Sequence, residues 1–143
     1  MVPEETILKI LDAGRHAQSS KNEQPWIFLL VQDRERLQAL SECGSYASHV
    51  AGAAFAVVLV DQHNWSFDIG QAAAYLQLAA WDLGVSSCIV YFGDQEKLKS
   101  SFGIPAEANA EIGISFGYSA EEPRKPKRSG RKPHEQILKR EHW

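Results

Sequence analysis

The residues best suited to chemistry form one polar run, Gln18-Ser19-Ser20-Lys21-Asn22-Glu23-Gln24-Pro25, which leads straight into Trp26-Ile27-Phe28-Leu29-Leu30-Val31. Its small hydroxyl and amide side chains both donate and accept hydrogen bonds, so the chemistry on offer is recognition of a polar edge. Taken alone, the same residues are an ordinary turn and cap cluster. A second group is cationic. Arg124, Lys125, Lys127, Arg128, Arg131 and Lys132 stand among Pro123, Pro126 and Pro133, which describes an extended basic arm rather than a helix. No aromatic residue interleaves these cations, which weakens a nucleic-acid reading and leaves a solvated tail or an anion contact. Elsewhere there is no GxGxxG, GxxxxGK[ST] or HExxH motif and no local Ser, His and Asp set, so hydrolase and nucleotide-phosphate chemistries lack a motif. Cys43 and Cys88 are far apart and in neither a CxxC nor a zinc-ligand spacing; both are expected to be reduced, buried and structural. The five histidines show no ligand pattern.

These groups must be positioned by a body of modest size. The chain has 143 residues, 44% hydrophobic and 23% charged, the balance of one soluble globular domain. Its net charge of −3 is unevenly spread: residues 1–120 hold 7 basic and 14 acidic side chains, residues 121–143 hold 8 and 4. The division expected is a core over 1–120 and a basic C-terminal extension of the same domain over 121–143. Glu4 and Glu5 stand where a secretory leader would be basic and then apolar, and the run from Val50 to Val60 is too short to span a bilayer. A soluble, cytoplasmic protein without membrane contact is expected.

Pro3, Glu4 and Glu5 open a helix in which Ile7, Leu8, Leu11 and His16 recur at helical spacing to about Ala17. Trp26 to Val31 reads as a buried strand, Asp33 to Glu42 as a short amphipathic helix, and Phe55 to Val60 as a second buried strand. From Ser66 to Leu83, Ile69, Ala72, Ala73, Leu76, Ala79, Ala80 and Leu83 recur at three and four, and Gly84 follows as a C-terminal cap. The alanines of this longest helix suit burial in the domain's own core and a subunit interface equally. Val85 to Phe92 reads as a third strand, Gln95 to Phe102 as a helix, Ile112 to Phe116 as a fourth strand, and Ile137 and Leu138 as a last short helix. Helices packed on a sheet follow, in an α/β or α+β arrangement.

Three blocks carry a resemblance. Gly14-Arg15-His16-Ala17-Gln18-Ser19-Ser20-Lys21-Asn22-Glu23-Gln24-Pro25-Trp26-Ile27-Phe28 closely resembles the A-P-S-x-x-N-x-Q-P-W-x-F segment of the nitroreductase family. Asp68-Ile69-Gly70-Gln71-Ala72 through Leu78-Ala79-Ala80, then Leu83-Gly84-Val85-Ser86-Ser87-Cys88, is similar to that family's central helix and the strand start after it. Ile112-Gly113-Ile114-Ser115-Phe116-Gly117-Tyr118, followed by Arg131-Lys132-Pro133-His134-Glu135, is similar to its last core strand and its R-x-P-x-E tail.

The resemblance implies an α+β fold with a central sheet flanked by helices, in an intertwined homodimer whose C-terminal tails wrap the partner and whose interface holds FMN. NADH or NADPH would be the electron donor, and a nitroaromatic, quinone or similar small planar molecule the acceptor. The flavin carries the hydride, so no catalytic acid–base residue is implied, and neither metal, nucleic acid nor membrane enters. Carried over by position, Ser19, Ser20 and Asn22 bind the flavin ring and ribityl chain, and Gln24 and Pro25 fix their loop. Ile89, Tyr91 and Phe92 lie along the flavin face, Tyr91 and Phe92 as pocket walls, although a plain core strand would read the same. Arg131 matches the arginine that pairs with the FMN phosphate, where a fixed, permanently charged fork suits a dianion. Lys132, Lys127 and Arg128 stand beside it, and Lys21 is available to lend positive charge near the ring.

Two departures qualify the match. Residues 1–15 contain no counterpart of the family's opening R-R-S-x-R segment, Arg15 being isolated at the far end of the first helix, and Gln18 stands where proline is usual. A short form of the family is therefore expected. Two readings stay open: an active flavin oxidoreductase, and a degenerate paralogue that binds flavin weakly, or another planar ligand, without turnover.

Overall fold

The computed structural model describes residues 1–120 and 130–143. Helix α1 spans Glu4–Arg15, with Pro3 extended before it, Glu4 and Glu5 in the first turn and Arg15 in the last, so its charges complement the helix dipole. Strand β1 is Trp26–Val31. Helix α2, Arg34–Ser41, starts where the Asp33 side chain accepts the Arg36 N–H. A 3-10 turn at Ser48–Gly52 leads to β2, Phe55–Asp61, and helix α3 covers Ser66–Asp82. Strand β3 is Ser86–Tyr91, helix α4 is Gln95–Phe102 with Asp94 capping the Lys97 N–H, and β4 is Asn109–Gly117. A single turn, α5, follows at His134–Ile137. At the end of α3, Val85 N–H reaches back to Ala80 O and Gly84 N–H to Trp81 O while Gly84 sits at φ +73°, the paired bonds of a Schellman stop.

The four strands form one antiparallel sheet in the order β1-β2-β4-β3. The central β2 is buried along its whole length, so its two faces feed two cores. Phe55, Val57 and Leu59 join Ile114 and Phe116 beneath α1 and α3, where Ile7, Ile10, Ile69, Ala72 and Leu76 meet them. Ala56, Val58 and Val60 point the other way and pack with Leu37, Leu40, Val90, Phe92 and Leu98 under α2 and α4. The period-two alternation of a strand buried on both sides produces this split. Strand β4 runs further than the expected Ile112–Phe116 because it has a paired neighbour on each side. Among the described residues no helix is long and apolar enough to cross a membrane.

The cysteines correct one expectation. Both are free, and Cys43 is buried, but Cys88 is exposed. It lies on edge strand β3, where a groove bordered by His49, Gly52, Ala53 and Tyr118 leaves that end of the strand uncovered.

Candidate functional site

The polar run becomes a tightly folded loop. After buried Ala17 the chain makes a 3-10 turn at Ser20–Asn22, with Asn22 N–H on Ser19 O and Glu23 N–H on Ser20 O, both at 3.0 Å. Lys21, Asn22 and Gln24 have φ of 51°, 58° and 51°. Left-handed backbone at a residue other than glycine costs on the order of 1 kcal/mol, so three in four residues must be held by their surroundings. The hold is partly local: Gln24 N–H donates to Ser19 Oγ at 3.0 Å and Gln24 Nε2 to Asn22 O at 3.2 Å. It is also long-range. Ser20 N–H donates to the Asp68 carboxylate at 3.0 Å, Gln71 Nε2 to Gln18 O at 3.4 Å, and Gln62 N–H to Pro25 O at 2.9 Å. The first turns of α3 and the segment leading into it thus run alongside the loop.

The consequence is the orientation of donors. Ser20, Lys21 and Asn22 are exposed, and among the described residues no hydrogen bond or ion pair engages their side chains. Ser19 is half-buried with its oxygen already accepting one bond, and Pro25 is buried, while Gln24 is exposed and closes the loop on itself. Asp68, Gln71 and Gln62 escape a reading of the sequence. Asp68 and Gln71 belong to the block that carries the resemblance, yet an acid in the first turn of a helix reads simply as a partner of the helix dipole.

On β3, Ile89 pairs with Ile114 and Tyr91 with Ile112, which places both on the α1/α3 face of the sheet. They are 49% and 56% exposed. Phe92 is a correction to the expected pair of walls. Its side chain is 1% exposed and belongs to the core under α2 and α4, because neighbouring residues of an extended chain point to opposite faces. Its N–H donates to Glu111 O at 2.7 Å.

The registers Trp26↔Asp61, Asp61↔Asn109 and Tyr91↔Ile112 put the start of β1 and the end of β3 at the same end of the sheet. They lie on opposite edges, three strand spacings or roughly 14 Å apart. A single chain therefore brings Ser19, Ser20, Asn22, Gln24 and Pro25 together and keeps Ile89 and Tyr91 apart from them. Arg131 and Lys132 are exposed, and no hydrogen bond or ion pair among the described residues ties either one to the loop. Lys127 and Arg128 lie outside the described residues.

Between α3 and β3 runs a groove of about 510 Å³ lined by Ala74, Gln77, Leu78, Trp81, Ser86 and Ser87, with Gln77 Nε2 bonded to Ser87 Oγ at 3.2 Å. Leu78 and Trp81 on its rim are 68% and 76% exposed.

A profile of the Nitroreductase family matches the chain in two overlapping stretches, residues 1–64 and 38–118. Two relatives, from Methanothermobacter thermautotrophicus and Archaeoglobus fulgidus, both carry the provisional name NADH dehydrogenase/NAD(P)H nitroreductase. Each is 32% identical over 133 residues, a match covering 85% of this chain and 70% and 76% of the respective relative. Among solved structures, an FMN-dependent nitroreductase from Clostridium difficile R20291 is 28% identical with a TM-score of 0.89, covering 99% of this chain and 90% of that one. A protein from Clostridium acetobutylicum, provisionally named an NADH oxidase, is also 28% identical, with a TM-score of 0.84 and the same coverage. The sheet with helices on both faces, the looped polar segment ahead of β1 and the extent of these matches lead to one conclusion: the chain belongs to the Nitroreductase family.

Proposed function

We propose that this chain is an FMN-dependent oxidoreductase that works as a homodimer, taking electrons from NADH or NADPH and passing them to a nitroaromatic, quinone or similar planar acceptor. The observation that carries the reading is the Ser19–Gln24 loop, whose backbone is held in a costly conformation while Ser20, Lys21 and Asn22 keep unengaged polar side chains at the surface. The donor set fits the group. Short hydroxyl and amide side chains match the mixed donors and acceptors of a flavin's edge, and the ammonium of Lys21 adds a positive charge beside them. When bound, FMN supplies the redox chemistry, accepting hydride from the reduced nicotinamide and returning it to an acceptor.

What the chain itself does is bind and orient. Ser19, Ser20 and Asn22 would hold the ring and ribityl hydroxyls, Gln24 and Pro25 keeping the loop in shape, and Arg131, with Lys132 beside it, would neutralise the phosphate. Ile89 and Tyr91 give an apolar face suited to a flat ring. Because the loop and this face occupy opposite edges of one sheet, the site closes only when a second copy sets its β3 edge beside the loop of the first. The exposed Leu78 and Trp81 and the solvent-facing tail, with Ile137 and Leu138 uncovered, support such pairing. The published names of the relatives accord with this chemistry.

The test is visible absorption of the purified protein, titrated with FMN and then with NADH or NADPH in the absence of oxygen. Flavin bands that shift on binding and bleach with reduced nicotinamide are expected. Failure to bind at saturating FMN would remove the redox function and leave the fold standing.

A further inference from the structure

Asp68 is the third residue of α3, the position from which the glutamate or glutamine of a capping box turns back to the helix's own N-cap N–H. Here the N-cap, Trp65, has no side-chain cap bond, and Asp68 Oδ2 instead accepts from Ser20 N–H, a residue 48 positions earlier. The Asp68 side chain is almost fully buried, at 5% exposure. Burying an anion is unfavourable unless it is met by charge-assisted hydrogen bonds or a favourable dipole, and the start of α3 together with the Ser20 amide supplies both. One turn along, Gln71 holds Gln18 O, so the same side of α3 grips the loop at two points.

Resting on the flavin reading above, we propose that Asp68 is a positioning residue for the ligand loop: its carboxylate fixes the first amide of the 3-10 turn and thereby keeps Lys21, Asn22 and Gln24 left-handed. Ser20 begins that turn, and the three left-handed residues follow within four positions. Without an acceptor at Ser20 N–H, Lys21 and Gln24 revert to commoner backbone regions and the outward set of Ser20, Lys21 and Asn22 side chains disperses. Ligand binding must then order the loop again, at a loss of affinity. Asp68 touches no ligand in this scheme; it acts through Ser20.

The experiment compares wild-type protein with Asp68→Ala and Asp68→Asn by three measurements: amide hydrogen exchange at Ser20 without flavin, the Kd for FMN from fluorescence quenching, and the thermal midpoint. Asp68→Ala should speed Ser20 exchange and weaken FMN binding by about tenfold each, the size expected for losing one charge-assisted hydrogen bond. Asp68→Asn keeps an acceptor oxygen without the charge and should fall between the two. A lower thermal midpoint in Asp68→Ala with an unchanged Kd would mean a merely structural acid and overturn the assignment, as would a Ser20 amide that stays protected. If Asp68→Ala does not fold, Asp68→Asn decides, and equality with wild type in both exchange and Kd overturns it. Wild-type protein that takes up no FMN overturns the flavin reading, and Ser20 exchange then decides by itself whether Asp68 holds the loop.

Discussion

Cys43 is fully buried, and burial pushes its thiol above the ordinary cysteine value, the Lys97 ammonium opposing that rise and the Asp94 and Glu42 carboxylates adding to it. A buried thiol with little thiolate is inert. In a Cys88→Ser variant, where Cys43 is the remaining cysteine, a thiol reagent at pH 8 should react with the native chain negligibly and with the denatured chain fully. Rapid labelling of the native variant would contradict the burial. Arg131 is the opposite kind of residue, exposed and without a described partner, so Arg131→Ala should leave the thermal midpoint unchanged. It should weaken FMN binding about tenfold while leaving riboflavin, which lacks the phosphate, unaffected. Equal losses for both ligands would take Arg131 off the phosphate. At this scale the sequence was informative about which polar side chains reach the surface, as for Ser20 and Asn22, and silent where a partner is remote. Nothing local marks Asp68 as the acceptor for Ser20, and Tyr91 and Phe92 look alike until strand alternation sends one ring to the surface and the other into the core.

The elements were legible because their signals are local: the three-and-four spacing of α3 and the glycine stop at Gly84 fall where they were expected, while the aspartate caps that start α2 and α4 emerge only from the structure. The order β1-β2-β4-β3 was not, since it depends on registers between strands about fifty residues apart. That register makes Gly113 critical. A Cβ there would stand 2.5 Å from Phe92 Cε2 and 3.0 Å from the Val57 carbonyl oxygen, so Gly113→Ala should destabilise the fold by about 1–3 kcal/mol in urea unfolding. Adding Phe92→Leu should recover part of the loss, whereas simple additivity of the two would mean that the clash is relieved elsewhere. Between α4 and the end of α2, Lys97 Nζ donates to Glu42 at 2.9 Å. Hydrogen bonds from Lys97 and then Gln38 hold the Glu42 carboxyl below its ordinary value, and the bond to Glu42 holds Lys97 above its own. A lowered carboxylate adds stability above its unfolded value and loses it as pH falls through the lowered one; a raised lysine adds stability below its unfolded value and loses it as pH rises through the raised one. The pair is exposed and screened, so Lys97→Met should lower the thermal midpoint slightly at neutral pH and not at all in acid or high salt. A deficit that persists in acid would assign the effect to packing of the lysine stem instead.

For the whole molecule, the alanine-rich pattern of α3 left open whether the helix serves its own core or a partner, and the structure gives one face to the core and leaves the other exposed. Ala72, Ala73 and Ala80 face inward with Leu76, while Phe67, Leu78 and Trp81 face solvent. Leu78 and Trp81 share their groove with Ser86 and Ser87, so the outer face of α3 and the start of β3 form one continuous surface. In the dimer proposed above, this exposed apolar surface is the contact between the two copies. The separation of the loop from Ile89 and Tyr91 makes that interface a requirement of the proposed site rather than an accessory, since one sheet presents the two groups on opposite edges. Dimerisation and flavin affinity should therefore fail together. A Leu78→Glu, Trp81→Glu double variant should keep its circular dichroism, because neither side chain belongs to a core, and should sediment as a monomer at micromolar concentration with FMN binding reduced to the detection limit. Each glutamate would bring a charge into an apolar contact with no cation among the described residues lining the groove to meet it. A monomeric variant that still binds FMN with wild-type affinity would show that a single loop suffices, and the two-copy site would have to be abandoned even with the flavin chemistry intact.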